Sequence, residues 1–114
     1  MAETGDQRTK ELLIDLKRFG EEAAFIVTHG ENAYLASTNE GALLRNAGER
    51  VLIKVATVVE KLPDSFKAAF PEMDWIAIRR MRNLVAHHYD KVNDELMWRA
   101  LAQRIPQLMA DLSL

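Results

Sequence analysis

Apolar side chains return every three or four residues through most of this chain, and few prolines or glycines interrupt them, so the pattern reads as all-α. The spacing predicts four main helices. The first runs from about Asp6 to His29, with Leu12, Leu16, Phe19, Ala23 and Ile26 as its apolar stripe and Gly30 as its stop. The second runs from near Asn39 to near Leu62 with Leu44, Ala47, Val51, Val55, Val58 and Leu62 inward, and Pro63 ends it. The third starts near Asp74, whose side chain suits an N-cap, and reaches about His88. The fourth starts after Asn93 or Asp94 and continues to the C-terminus, turning Met97, Leu101, Ile105, Leu108 and Leu112 inward; Pro106 inside it predicts a kink. Short connections at 63–73 and 89–93 favour antiparallel neighbours, hence an up-and-down bundle, and 30–39 reads as the loosest loop.

A length of 114 residues with 48% hydrophobic content suits one core, so residues 1–114 are expected to form a single domain. The absence of cysteine excludes disulfides, thiolate metal sites and a cysteine nucleophile. Residues 1–10 are polar and mixed in charge, and no apolar run approaches the ~20 residues that span a bilayer, so a soluble, cytoplasmic protein is expected. A net charge of -2 argues against coating nucleic acid through bulk electrostatics. Three of the four residues from Arg79 to Arg82 are nevertheless arginines, which is either a local phosphate-binding patch or a solvated helix face.

The third helix concentrates the chemistry. At about 100° per residue, Ala77, Ile78, Met81, Leu84, Val85 and His88 form its core face. Arg79, Arg82, Asn83 and His87 fall within an arc of roughly 140° on the opposite side. Asn83 and His87 are one turn apart, so the amide can orient the imidazole, and Arg82 is long enough to share the site. Trp75 and Ile76 point into the same arc; an apolar pair there implies a subunit interface, unless Trp75 packs under the preceding loop. Across a twofold axis, two copies of Arg82, Asn83 and His87 would converge in one groove. Such a groove suits RNA cleavage by the ribose 2′-hydroxyl, with neutral His87 taking its proton and a protonated His87 of the second copy donating to the leaving oxygen. Arg82 would hold the nonbridging oxygens, and no metal or cofactor is called for.

Each of these residues also has a plain structural reading. Arg82 can pair with a surface carboxylate, Asn83 can be an exposed amide, and His87 can cap its helix, where a cation is favoured. His88 faces the core, and Tyr89 reads as a boundary aromatic with its hydroxyl in water. An arginine and a histidine five apart are common by chance.

The wider pattern is more specific. Trp75, Met81-Arg82-Asn83, His87, Tyr89 and Trp98 together resemble the HepT-like branch of the HEPN superfamily, which carries an arginine, four residues, then histidine, any residue and tyrosine. Arg104-Ile105-Pro106-Gln107-Leu108 resembles the segment that follows in that branch, and the similarity is strongest over 48–110. Where the branch often shows glycine, glutamate and alanine in the second helix, this chain has Gly48-Glu49-Arg50; Gly48 permits close helix approach, Glu49 is placed to pair with an arginine of the third helix, and Arg50 is bulkier than alanine. The resemblance implies a HEPN-fold homodimer with a shared ribonuclease site at Arg82 and His87. It also implies a toxin partnered by a minimal nucleotidyltransferase (MNT) antitoxin that transfers AMP from ATP to Tyr89. Two other functions fit the same face: a noncatalytic helical adaptor, and a subunit that presents Tyr89 to the transferase.

Overall fold

The computed structural model describes residues 2–87 and 93–114, apart from the side chains of residues 2–6, 83, 84, 86 and 87. Its elements are α1 (Ala2–Val27), α2 (Glu31–Leu35), α3 (Asn39–Lys61), α4 (Asp64–Ala68), α5 (Trp75–His87), α6 (Asp94–Arg99), a π-helical turn (Ala100–Arg104) and α7 (Ile105–Asp111). No strand occurs among the described residues. The four long helices expected from the sequence are α1, α3, α5 and the run from α6 through α7.

Local chemistry accounts for where the helices begin and end. A helix start leaves backbone N–H groups without intrahelical partners, and a short polar side chain can satisfy one of them. Thr38 does so for Gly41 at 3.0 Å, Asp74 for Ala77 at 2.9 Å, and Asn93 for Leu96 at 3.0 Å. At the end of α1, His29 Nδ1 donates to the carbonyls of Phe25 and Ile26, and Gly30 leaves the helix at φ 89°, a conformation that favours glycine.

α3 lies at the centre, packed against α1, α2, α5 and α6. Its Val51, Leu52, Val55, Val58 and Val59 meet Leu12, Leu16, Ala23 and Ile26 of α1, Met81 and Val85 of α5, and Met97, Leu101, Ile105 and Leu108 of the last helix in one core. Gly48 is a point of close approach: a Cβ there would lie 2.7 Å from Leu101 Cδ1 and 2.8 Å from the Tyr34 hydroxyl oxygen. Arg50 is exposed, so its bulk goes to solvent and does not disturb this contact.

Two expectations are corrected, and the disturbance expected at Pro106 takes a specific form. Residues 30–39 hold α2, whose Tyr34 is fully buried, so this segment is a core element where a loose loop was expected. Ala47 is exposed although the stripe of α3 placed it inward; the neighbouring Gly48 takes the buried position. Pro106 is accommodated by the π-helical turn, which widens the helix just before it and leaves the proline at the start of α7, where its missing N–H costs little. The inward side chains expected of Leu84 and His88, and residues 88–92 of the last connection, lie outside the described residues.

Met81→Ala and Val85→Ala empty buried positions between α3 and α5 and are expected to cost roughly 1 to 5 kcal/mol. Gly48→Val overpacks against Tyr34 and Leu101 and should cost about 1 to 3 kcal/mol. Denaturant unfolding of the three variants checks both values.

Candidate functional site

α5 begins at its Asp74 cap and runs unbroken to His87, so Arg79, Arg82, Asn83 and His87 occupy successive turns of one helix, as the sequence leads one to expect. Met81 and Val85 face the core, while Arg79 and Arg80 are exposed. The side chains of Asn83 and His87, and Tyr89 altogether, lie outside the described residues.

Arg82 is the one expected site residue with a described partner, and that partner comes from another helix. Its Nη1 donates to Glu60 Oε2 of α3 at 2.7 Å, with the two side chains 34% and 42% exposed. A pair this open to solvent contributes about 0 to 1 kcal/mol to stability, so it orients the guanidinium more than it holds the fold. The structural reading of Arg82 as half of an ion pair is therefore correct as far as it goes. Glu60 follows directly on the buried Val58–Val59 stretch, and nothing in the sequence distinguishes it from the other charged residues of α3.

A cleft of about 310 Å³ opens between α3, α4 and α5, walled by Glu60 of this pair together with Asp64, Lys67, Trp75, Ile76 and Arg79. Trp75 is half-buried: its Nε1 donates to the Lys67 carbonyl at 3.2 Å, and its ring packs on the core. It therefore packs on the preceding segment, and the interface argument built on a Trp75–Ile76 pair keeps only Ile76, which is 56% exposed. Ile14 and Phe25 of α1 and Leu43 of α3 are exposed further still.

Glu49 lies apart from α5. Burial first, and then the nearby Asp94 carboxylate, raise its pKa, while Arg45 opposes the shift. Arg45 itself is a strut: its Nη1 donates to the carbonyls of Tyr34 and Ala36, each at 2.8 Å, and its Nε stands 3.9 Å from Asp94. The Tyr34 hydroxyl, buried beside this group, has no hydrogen-bond partner among the described residues, and burial leads the causes that push its pKa up. Among the described residues Glu49 makes no ion pair with an arginine of α5; it belongs to the junction of α2, α3 and α6. No three His, Asp or Glu side chains among the described residues are arranged to hold a metal ion.

The family model for ribonuclease HepT-like proteins matches residues 13–113, a span that includes α5 and its arginines. The chain belongs to that family. It is 30% identical over 57 residues to a candidate RNase of Methanocaldococcus jannaschii, covering 50% of this chain and 47% of that one. It is 25% identical over 93 residues to a candidate RNase of Caldanaerobacter subterraneus subsp. tengcongensis, covering 82% and 83%. A candidate ribonuclease HepT of Thermococcus cleftensis is 30% identical over 59 residues, covering 52% and 54%. The chain thus matches about half the length of two of these relatives. No solved structure matches it significantly. The HepT-like resemblance of the tryptophan, arginine, histidine and tyrosine spacing agrees with the family assignment.

In this HepT-like chain the raised pKa of Glu49 has a definite sign. The folded state holds the Glu49 proton more tightly than the unfolded chain, so stability falls as pH rises through the range just above ordinary glutamate titration. Glu49→Gln should remove that slope and leave the protein more stable than wild type at neutral pH, as read from unfolding curves at several pH values. Tyr34→Phe, which deletes a buried hydroxyl without a partner, should be neutral or raise stability by about 1 kcal/mol.

Proposed function

We propose that this chain is a ribonuclease toxin that cleaves RNA with Arg82 and His87 at a groove shared by two copies, and that a nucleotidyltransferase antitoxin silences it by placing AMP on Tyr89. The observation that carries the reading is family membership over a span that includes the whole of α5, with Arg82 half-exposed and paired with Glu60, a residue that walls a cleft. In the proposed reaction the ribose 2′-oxygen forms a bond to phosphorus while the bond from phosphorus to the 5′-oxygen breaks. Neutral His87 takes the 2′-hydroxyl proton, and protonated His87 of the second copy gives one to the departing 5′-oxygen. Asn83 orients the imidazole, Arg82 binds the nonbridging oxygens as charge grows on them, and Arg79 adds phosphate affinity at the rim.

The products are a 2′,3′-cyclic phosphate and a 5′-hydroxyl, and DNA resists because it lacks the nucleophile. Nucleophile, base, acid and charge stabiliser all come from RNA and protein, so the scheme calls for no metal. The antitoxin step moves AMP from ATP to the Tyr89 oxygen and releases pyrophosphate. The added phosphate, near Arg82 in sequence, competes for the donors that RNA needs. tRNA and mRNA both suit a reaction that demands little base recognition. Residues 1–114 form one HEPN domain in this reading, and no described helix is long and apolar enough to cross a membrane.

One observation favours a second reading. Because Glu60 already engages Arg82, the arginine can be one half of a surface ion pair in a noncatalytic adaptor that docks the transferase on this face.

Wild type and the Arg82→Ala and His87→Ala variants, expressed in a bacterial host without a partner gene, separate the two. The ribonuclease reading expects growth arrest with cleaved total RNA from wild type alone. The adaptor reading expects harmless wild type and loss of transferase binding in the variants. Light scattering on dilute protein should give about twice the 13.0 kDa chain mass.

A further inference from the structure

We propose that Glu60 is the positioning residue of Arg82: it holds the guanidinium in the orientation that meets the scissile phosphate. The inference rests on the ribonuclease reading above and adds to it a residue on α3. A long arginine side chain, half in water, samples many rotamers unless something fixes its plane. The 2.7 Å contact between Glu60 Oε2 and Arg82 Nη1 fixes it from one side. A guanidinium held at Nη1 still has its Nε–H and Nη2–H edge to present as a two-pronged donor, the geometry that suits a phosphate.

The backbone of Glu60 is itself firmly placed. The buried Leu62 anchors the end of α3 two residues on, and Lys67 Nζ of α4 donates to the Glu60 carbonyl at 3.4 Å. The Lys67 carbonyl in turn accepts from Trp75 Nε1 at 3.2 Å, so the end of α3, all of α4 and the first turn of α5 are tied in sequence. The backbone that carries the Glu60 carboxylate therefore has a defined position relative to the helix that carries Arg82, and the cleft that Glu60 walls opens beside it.

A carboxylate beside a polyanionic substrate repels that substrate, so Glu60 does not serve ground-state affinity. Its contribution is to the aim of Arg82 as charge develops on the phosphate, and that separates kcat from KM. Glu60→Ala should lower kcat about 10-fold to 100-fold, while Glu60→Gln, which keeps an oxygen that accepts from Arg82, should lower it less. In neither variant should KM rise. In an Arg82→Ala background Glu60→Ala should cause no further loss, since there is no guanidinium left to orient.

Steady-state cleavage of a short RNA by these single and double variants is the test. Three results would overturn the role of Glu60: an unchanged kcat in Glu60→Ala, equal kcat in the Ala and Gln variants, or a loss of the same size with Arg82 already removed. An active wild type with any of these leaves the ribonuclease reading standing and removes only this inference. A wild type that cleaves no RNA overturns both.

Discussion

The rest of the molecule leans on the close packing of α3 against helices on several of its sides. A surface helix buries one stripe, but this one buries Val51, Leu52, Val55, Ala56, Val58 and Val59 together, a band too wide for a single neighbour. Gly48 lets Tyr34 and Leu101 reach the helix backbone where any side chain would hold them off. Its remaining face, with Leu43, Asn46, Ala47 and Arg50, meets solvent, and so does its last turn at Glu60 and Lys61. One end carries Arg45, the strut to α2 and Asp94, and the other carries Glu60, which meets Arg82. The candidate site is thus built at the end of a helix whose position the core has already settled.

Long amphipathic helices are legible in a single sequence because their signal repeats. α1, α3 and the last helix each show an apolar stripe over five or more positions, and the Asp74 and Asn93 caps mark where helices begin. What escaped has no repeat to reveal it. α2 is five residues long, and its weight in the fold rests on one buried aromatic, Tyr34, whose ring sits 5.4 Å from that of Trp98. Ala47 leaves its expected inward place because an apolar stripe does not tell a small exposed side chain from a buried one, whereas Gly48 makes the close approach expected of it. Pro106 announces a disturbance in the helix, but not the π-helical turn of Ala100–Arg104, with Ala100 and Leu101 buried, that accommodates it.

The candidate site divides along the same line. That Arg79, Arg82, Asn83 and His87 share one helix follows from period and spacing alone, and the backbone of α5 carries them so. The partner of Arg82 does not follow, because Glu60 lies 22 residues away and is one of several carboxylates that α3 offers. Glu49 is the more visible choice, standing next to Gly48 in a recognisable group, yet it lies beside Tyr34 and Asp94, about three helical turns before Glu60. Trp75 was misplaced for a related reason: helical angle assigns it to the solvent side, but the first turn of a helix also faces the chain that enters it, and Lys67 is there to accept its N–H.

An arginine that binds a passing phosphate must satisfy two demands that conflict. Buried deeply with its carboxylate, it would be well oriented but costly to rearrange, since separating a desolvated pair leaves an uncompensated charge. Fully in water, it would exchange partners freely but spend rotamer entropy each time it grips a ligand. Side chains 34% and 42% exposed place the Arg82–Glu60 pair between these limits. A protein of net charge -2 does not draw RNA through its overall field, so local donors must supply the attraction, and Arg79 and Lys67 line the same cleft to do so. Glu60 takes back some of that attraction. On the reading adopted here, the surrender of affinity is what makes the remaining contact directional, and direction is what a developing negative charge rewards.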